Sequence, residues 1–125
     1  LPAPYETPHG MIVLAADGNA IVGCAALRAV TDSVAELRRL YVRPSHQRRG
    51  IGRLLATTVV NRGRAMGYRA MRFEASASMH PALTICESLG FRQVPRFSDD
   101  PMPDTVFYEQ YFPATRYSLG GPLRA

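Results

Sequence analysis

The stretch Leu40–Arg53, LYVRPSHQRRGIGR, constrains this chain more than any other. An apolar run ends at Tyr41 and Val42, and Pro44, which has no N–H for a ladder, stops it. Four polar or basic residues follow (His46, Gln47, Arg48, Arg49), then Gly50-Ile51-Gly52, then apolar residues at helical spacing. A strand, a glycine-bearing turn and a helix start in direct succession make an anion site. The first helical turn has N–H groups without intrahelical acceptors, and the macrodipole adds partial positive charge there. The two glycines either give the turn its backbone shape or let a bound phosphate come close to those N–H groups.

Charge around this turn narrows the partner. The chain has 125 residues, 46% of them hydrophobic, enough for one domain with a buried core. Its net charge is +5, and ten of its 15 basic residues, all arginine, lie between Leu37 and Phe73, where there is no Asp or Glu. Such a block predicts an anionic partner, either nucleic acid or a phosphate-rich cofactor, unless the arginines simply solvate surface faces. No helix-turn-helix, zinc-finger or RNP-type pattern is present, which argues against nucleic acid. The P-loop is excluded because the chain contains no lysine, and the dinucleotide fingerprint GxGxxG is missing. No apolar run approaches the ~20 residues of a membrane span, and no signal peptide is visible. Cys24 and Cys86 are too few for a disulfide scaffold, so the expectation is two reduced thiols, a cytoplasmic location and no membrane partner.

Taken in order, residues 1–10 (LPAPYETPHG) carry three prolines and read as a lead-in loop. Met11–Ala16 and Ile21–Leu27 read as strands around the turn Asp17-Gly18-Asn19, forming a hairpin. Ala35–Val42 is a third strand, whose alternation puts Glu36, Arg38, Leu40 and Val42 on one face and Leu37, Arg39 and Tyr41 on the other. Ile51–Met66 has helical spacing with a stop at Gly67. Ala70–Ala75 reads as a strand, Pro81–Leu89 as a short helix, and Phe91–Val94 and Val106–Phe112 as the last strands. A Pro/Asp-rich loop, Ser98–Asp104, separates those two. The expected class is α/β (α+β), one domain of order β-β-β-α-β-α-β-β with its core at 11–112, and residues 113–125 form a tail.

Gln47-x-x-Gly50-x-Gly52 directly after a strand resembles the coenzyme A pyrophosphate loop (Q/R-x-x-G-x-G/A) of the GNAT superfamily of N-acetyltransferases. Two further stretches resemble that family in register. MHPALTICESLGFRQV is similar to its second cofactor segment, AxxLYxxLGF followed by a strand. The spacing FxxxxSMxxAxxxxxSLGFRQVPxFxxxPxP looks like a bacterial GNAT group. The resemblance covers roughly residues 11–112, and it implies a mixed, mostly antiparallel sheet with helices packed on it. Two departures stand out. The family's usual first strand and early helices have no counterpart, and Cys86 stands where the segment usually has Tyr.

The resemblance implies transfer of an acetyl group from acetyl-CoA to an amine, with no metal. Backbone groups of Leu40, Tyr41 and Val42 would hold the pantetheine at a sheet edge. The N–H groups of Arg48, Arg49, Gly50, Ile51, Gly52 and Arg53, with Gln47 before them, would take the pyrophosphate, helped by an arginine fork. A free amine near pKa 10 is mostly protonated at neutral pH, so a base or an ordered water is needed. Glu36, six residues before Val42, stands where several GNAT enzymes carry a basic glutamate; it is equally a strand glutamate paired with Arg28 or Arg38. A backbone N–H near Tyr41–Val42 would stabilise the developing oxyanion. Cys86 is the candidate proton donor to the leaving thiolate, or a packing residue, with Tyr108, Tyr111, Tyr41 or water as substitutes. No His is placed to activate Cys86, and His9, His46 and His80 show no metal-ligand spacing.

Two rival readings stay open, a GNAT-fold module that binds acyl-CoA without catalysis and a small basic nucleic-acid-binding domain. The acceptor, a small-molecule or peptide amine, is not named by any motif. Asp99, Asp100 and Asp104 in the late loop would suit a cationic amine or are merely solvated. A homodimer is plausible because a short sheet leaves an open edge.

Overall fold

The computed structural model describes residues 5–7, 10–99 and 101–113. Strands β1 (Tyr5–Thr7), β2 (Gly10–Asp17), β3 (Ala20–Ala29), β4 (Val34–Val42), β5 (Ala70–Ser76), β6 (Arg92–Val94) and β7 (Thr105–Tyr111) form one sheet. Helix α1 (Ile51–Ala65) joins β4 to β5, and α2 (His80–Ser88) joins β5 to β6. The spatial order is β1-β2-β3-β4-β5-β7-β6, and every neighbouring pair is antiparallel except β4 with β5.

Local chemistry explains these connections. Gly18-Asn19 closes the β2–β3 hairpin between Asp17 and Ala20. The β3–β4 reversal is held by Thr31, whose Oγ1 accepts from the N–H groups of Ser33 and Val34 at 3.1 and 3.0 Å. A parallel β4–β5 pair cannot be joined by a hairpin and needs a crossover, which α1 supplies. Both helices lie on the same face. Leu55, Ala56, Val59 and Val60 of α1 and Cys86 of α2 pack with Met11, Ala25, Leu27, Leu37, Met71, Phe73 and Tyr108 of the strands. The opposite face carries charge: Arg28 pairs with Glu36, and Arg72 with Glu109.

Two expectations need correction. Tyr5–Thr7 is not loop but an edge strand on Gly10–Ile12, so the sheet has one more strand than the sequence reading gave. The simple alternation along β4 also fails. Ala26 opposes Arg38 but Cys24 opposes Tyr41, so two steps along β3 match three along β4. Arg39, at φ 55°, lies within this bulge. Beyond it the faces exchange: Leu40 and Val42 join Leu37 against the helical core, while Glu36 is buried on the other face. The expected ends of the elements otherwise fall within one residue or two of those observed. The tail lies, from residue 114 on, outside the described residues, as do residue 100 and the start of the lead-in segment. Among the described residues no helix is long and apolar enough to cross a membrane.

Met71 is fully buried beneath α1, and its Cε lies so close that a Cβ at Gly63 would stand 2.4 Å from it. Met71→Ala is therefore expected to lose about 2–5 kcal/mol of stability. Urea unfolding should show it as a lower midpoint at an unchanged m-value.

Candidate functional site

The ladder between β4 and β5 consists of three pairs, Val34–Ala70, Ala35–Met71 and Glu36–Arg72. Past Glu36, β4 stays with β3 through Val42, and β5 stays with β7 through Ser76. The sheet thus opens into a V with Glu36 and Arg72 at its vertex, just before the bulge that bends β4. Arg43 N–H donates to the Val22 carbonyl at 2.8 Å, and ladder alternation puts Tyr41 on that same side. The polar backbone groups of Leu40 and Val42 therefore face into the gap.

The turn at the end of β4 is built to keep N–H groups free. Pro44–His46 forms one 3-10 turn, and Gln47 Nε2 donates back to the Val42 carbonyl at 3.0 Å. Gln47 thus fastens the loop to its strand. His46 Nε2 lies 2.8 Å from Asp17 Oδ2 and its Nδ1 2.8 Å from Ser45 Oγ, bracing the loop against the β2–β3 hairpin. Arg48 and Gly50 both have positive φ, 65° and 81°, a nest-like backbone that aims successive N–H groups at one point. The first helical bond is Leu54 N–H to the Gly50 carbonyl (3.0 Å), so Ile51, Gly52 and Arg53 have no intrahelical acceptor. Neither a capping side chain nor an acidic residue occupies this first turn.

The two glycines have different duties. Gly50 has open space where a Cβ would be and is needed for its φ. Gly52 is needed for room, because a Cβ there would lie 3.1 Å from Ile85 Cδ1 and 3.5 Å from Val42 Cγ2. Arg53 bonds to Ser88 Oγ at the end of α2. Arg48 and Arg49 are exposed and have no side-chain partner among the described residues.

On the face away from the helices, an open depression of about 580 Å³ adjoins the vertex. Glu36 lines it, only 8% exposed, with Arg28 Nη2 at 3.1 Å and Arg38 Nε at 3.8 Å from its Oε1. Arg39, Phe73, Glu74, Ser98, Asp99 and Met102 complete much of the lining. The late loop is thereby brought against the vertex, although Asp104 turns away to accept from Ser76 Oγ at 3.0 Å. Asp100 lies outside the described residues. Glu74 escaped the sequence reading. The only signal for it was alternation on β5, which places it opposite the buried Phe73 and the half-buried Ala75. Among the described residues no three His, Cys, Asp or Glu side chains gather as a metal site would require.

The sequence model of the Acetyltransferase (GNAT) family matches residues 2–91. The chain belongs to that family. An N-acetyltransferase of Schizosaccharomyces pombe is 30% identical over 106 residues, covering 82% of this chain. The chain spans only 64% of that relative's length. Among solved structures, an acetyltransferase from Streptococcus agalactiae superposes with TM-score 0.75 at 22% identity, over 86% of this chain and 70% of its own. A GNAT acetyltransferase from Elizabethkingia anophelis, solved with acetyl-CoA bound, gives TM-score 0.70 at 21% identity, over 82% of this chain and 76% of its own. At such identities the likeness establishes the fold.

Against that GNAT background, Cys86, which the sequence offers as proton donor or packing residue, sits on α2 facing the sheet. Its side chain is fully buried in the core. Burial, then the neighbouring Glu87 carboxylate, pushes its thiol up to about 12. A thiol that holds its proton so firmly is a poor donor to a leaving thiolate, which favours the packing alternative. Tyr108 is engaged as well. Its hydroxyl donates to Glu87 Oε2 at 2.7 Å, and that bond, with burial, raises its pKa. Tyr111 is exposed, and its hydroxyl accepts from Arg69 Nη2 at 3.3 Å.

The buried thiol sets a pH dependence. An unfolded chain ionises Cys86 near its ordinary 9.0, whereas the folded chain keeps the proton up to about 12. Between those values the folded state binds more protons, so stability falls as pH rises through the window. Denaturant midpoints should decline above pH 9.0, and Cys86→Ala should flatten that decline, Tyr108 accounting for what remains. An undiminished decline in the variant would reject the assignment.

Proposed function

We propose that this chain is an N-acetyltransferase that moves the acetyl group of acetyl-CoA to a primary amine by direct attack. The observation that carries this reading is the V-shaped gap with an anion-binding turn at its open end and Glu36 at its vertex. The fit to the coenzyme rests on this chain's own groups. Gap-facing backbone of Leu40 and Val42 suits the pantetheine amides, and the free N–H groups of Ile51, Gly52 and Arg53 suit a pyrophosphate. Among the described residues nothing engages the Arg48 and Arg49 guanidinium groups, which suits them to phosphate. Tyr41 contributes by holding β4 to β3, leaving its neighbours turned inward.

When bound, acetyl-CoA supplies an acetyl group already activated as a thioester. Glu36, directly or through a water, takes the proton from the incoming ammonium. The Val42 N–H is the donor turned towards the gap that can polarise a carbonyl oxygen there. Cys86 is buried and the Tyr108 hydroxyl is held by Glu87, so a leaving thiolate would take its proton from water. The acceptor is a small-molecule or peptide amine. A second reading, an acyl-CoA-binding module without turnover, is favoured by the burial of Cys86 at the position of the family's tyrosine.

Calorimetric titration with acetyl-CoA at moderate salt, followed by thiol-release assays over an amine panel, separates the two. One-to-one binding with turnover supports the transferase; binding without turnover on any amine supports the module; no binding rejects both. Arg48→Gln combined with Arg49→Gln should weaken acetyl-CoA binding by about tenfold or more, most strongly at low salt, with no loss of stability. Glu36→Gln should lower kcat by about 10²–10⁴ while leaving the affinity for acetyl-CoA unchanged. An unaltered kcat would remove Glu36 from the mechanism and leave Glu74 as another carboxylate lining the same depression.

A further inference from the structure

The depression beside Glu36 sorts its charges by sign. Arg28, Arg38 and Arg39 stand on its β3–β4 side, and Glu74 and Asp99 on its β5 and late-loop side. Glu36 is shared between Arg28 and Arg38, so one carboxylate balances two guanidinium groups. Among the described residues, Arg39, Glu74 and Asp99 have no ion-pair partner at all. This is not a general habit of that face. Arg72 and Glu109, next along the sheet, neutralise one another at 3.3 Å, and the Arg72 guanidinium stacks on the Phe97 ring at 4.7 Å. The charges left unmatched are those around the depression. A further polar group is unmatched there too: Ser98 Oγ is buried with no hydrogen-bond partner among the described residues.

Opposite charges on facing walls of one depression select by complementarity. A plain polycation would meet three arginines, and a plain anion would meet two carboxylates. An uncharged amine would use neither wall. Building on the acetyl-transfer reading, we infer that the acceptor is a small zwitterion, an amine beside a carboxylate, of the α-amino-acid or short-peptide kind. Arg38 and Arg39 hold its carboxylate, and Glu74 and Asp99 draw its ammonium to the vertex, where Glu36 stands. Ser98 Oγ supplies one more hydrogen bond to the same ligand. A depression of about 580 Å³ is of the right size for such a molecule. Arg39 is the specificity-determining residue in this assignment. The bulge that opens the gap is also what presents its side chain to the depression.

The test is calorimetric titration of the intact chain, with coenzyme A present, using glycine, L-alanine, L-methionine and L-phenylalanine as probes. Each is compared with its carboxamide and with the amine that lacks the carboxyl group. The same acceptors are then offered with acetyl-CoA in a thiol-release assay. Carboxylate-bearing probes should bind at least about tenfold tighter than their carboxamides. R38Q/R39Q should erase that advantage while leaving carboxamide and acetyl-CoA affinities unchanged. Arg39→Gly, which relaxes the backbone at φ 55° and removes the guanidinium, should do the same in part and guards against a misfolded double variant. Equal or better binding of carboxamides, an advantage that survives R38Q/R39Q, or no binding of any probe would overturn the inference. Selective binding without transfer would leave it standing and end the transfer reading. Transfer without carboxylate preference would do the reverse.

Discussion

The pairing of β4 with β5 stops after three residues, and the site depends on that stop. A sheet with every strand paired offers no main-chain hydrogen bonds to a ligand, because each N–H and C=O is already used. Here one extra residue on β4, at Arg39, bends the strand and puts its next residues out of reach of β5. The Leu40 N–H and carbonyl and the Val42 N–H are left unspent, facing a space that two intact half-sheets hold open, while the Val42 carbonyl takes the Gln47 side chain. The same insertion reverses the side-chain alternation. Leu40 and Val42 are thereby free to anchor against α1 while Glu36 stays on the opposite face.

The other parts of the site hold that opening in place. Gln47 ties the turn to the end of β4, and His46 ties it to the far hairpin. Gly52 lets α1 close on Val42 and Ile85 together, so the anion-binding turn, the bent strand and the second helix meet at one contact. Cys86, close by on α2, contributes volume to the packing beneath this junction rather than chemistry.

Much of this was legible in the residues. Sequence pattern located every strand and α-helix but β1, whose three residues lie among prolines that read as loop. The turn from Gln47 to Arg53 was legible because its glycines and its missing acids are local facts. The bulge was not. A single extra residue leaves no compositional trace, and Arg39 looks like any other residue in an arginine-rich strand until its φ is known. That hidden insertion made the faces of β4 come out wrong beyond Arg38. The contact of Gly52 with Val42 and Ile85 was not legible either, because close packing between elements distant in sequence is invisible along the chain. Glu74 was missed for the same reason. Its importance comes from lining, with Glu36, a depression whose existence the sequence does not announce.

The gap and the depression differ in what lines them. The gap presents main-chain groups, which no substitution short of proline can delete. The depression presents Arg28, Arg38, Arg39, Glu74, Asp99 and Ser98, each a side chain on or near the surface that can be exchanged without disturbing the core. A molecule divided in this way is conservative on one side and adaptable on the other. Its history of variation should be written almost entirely on the depression side, with new partners arising there one side chain at a time.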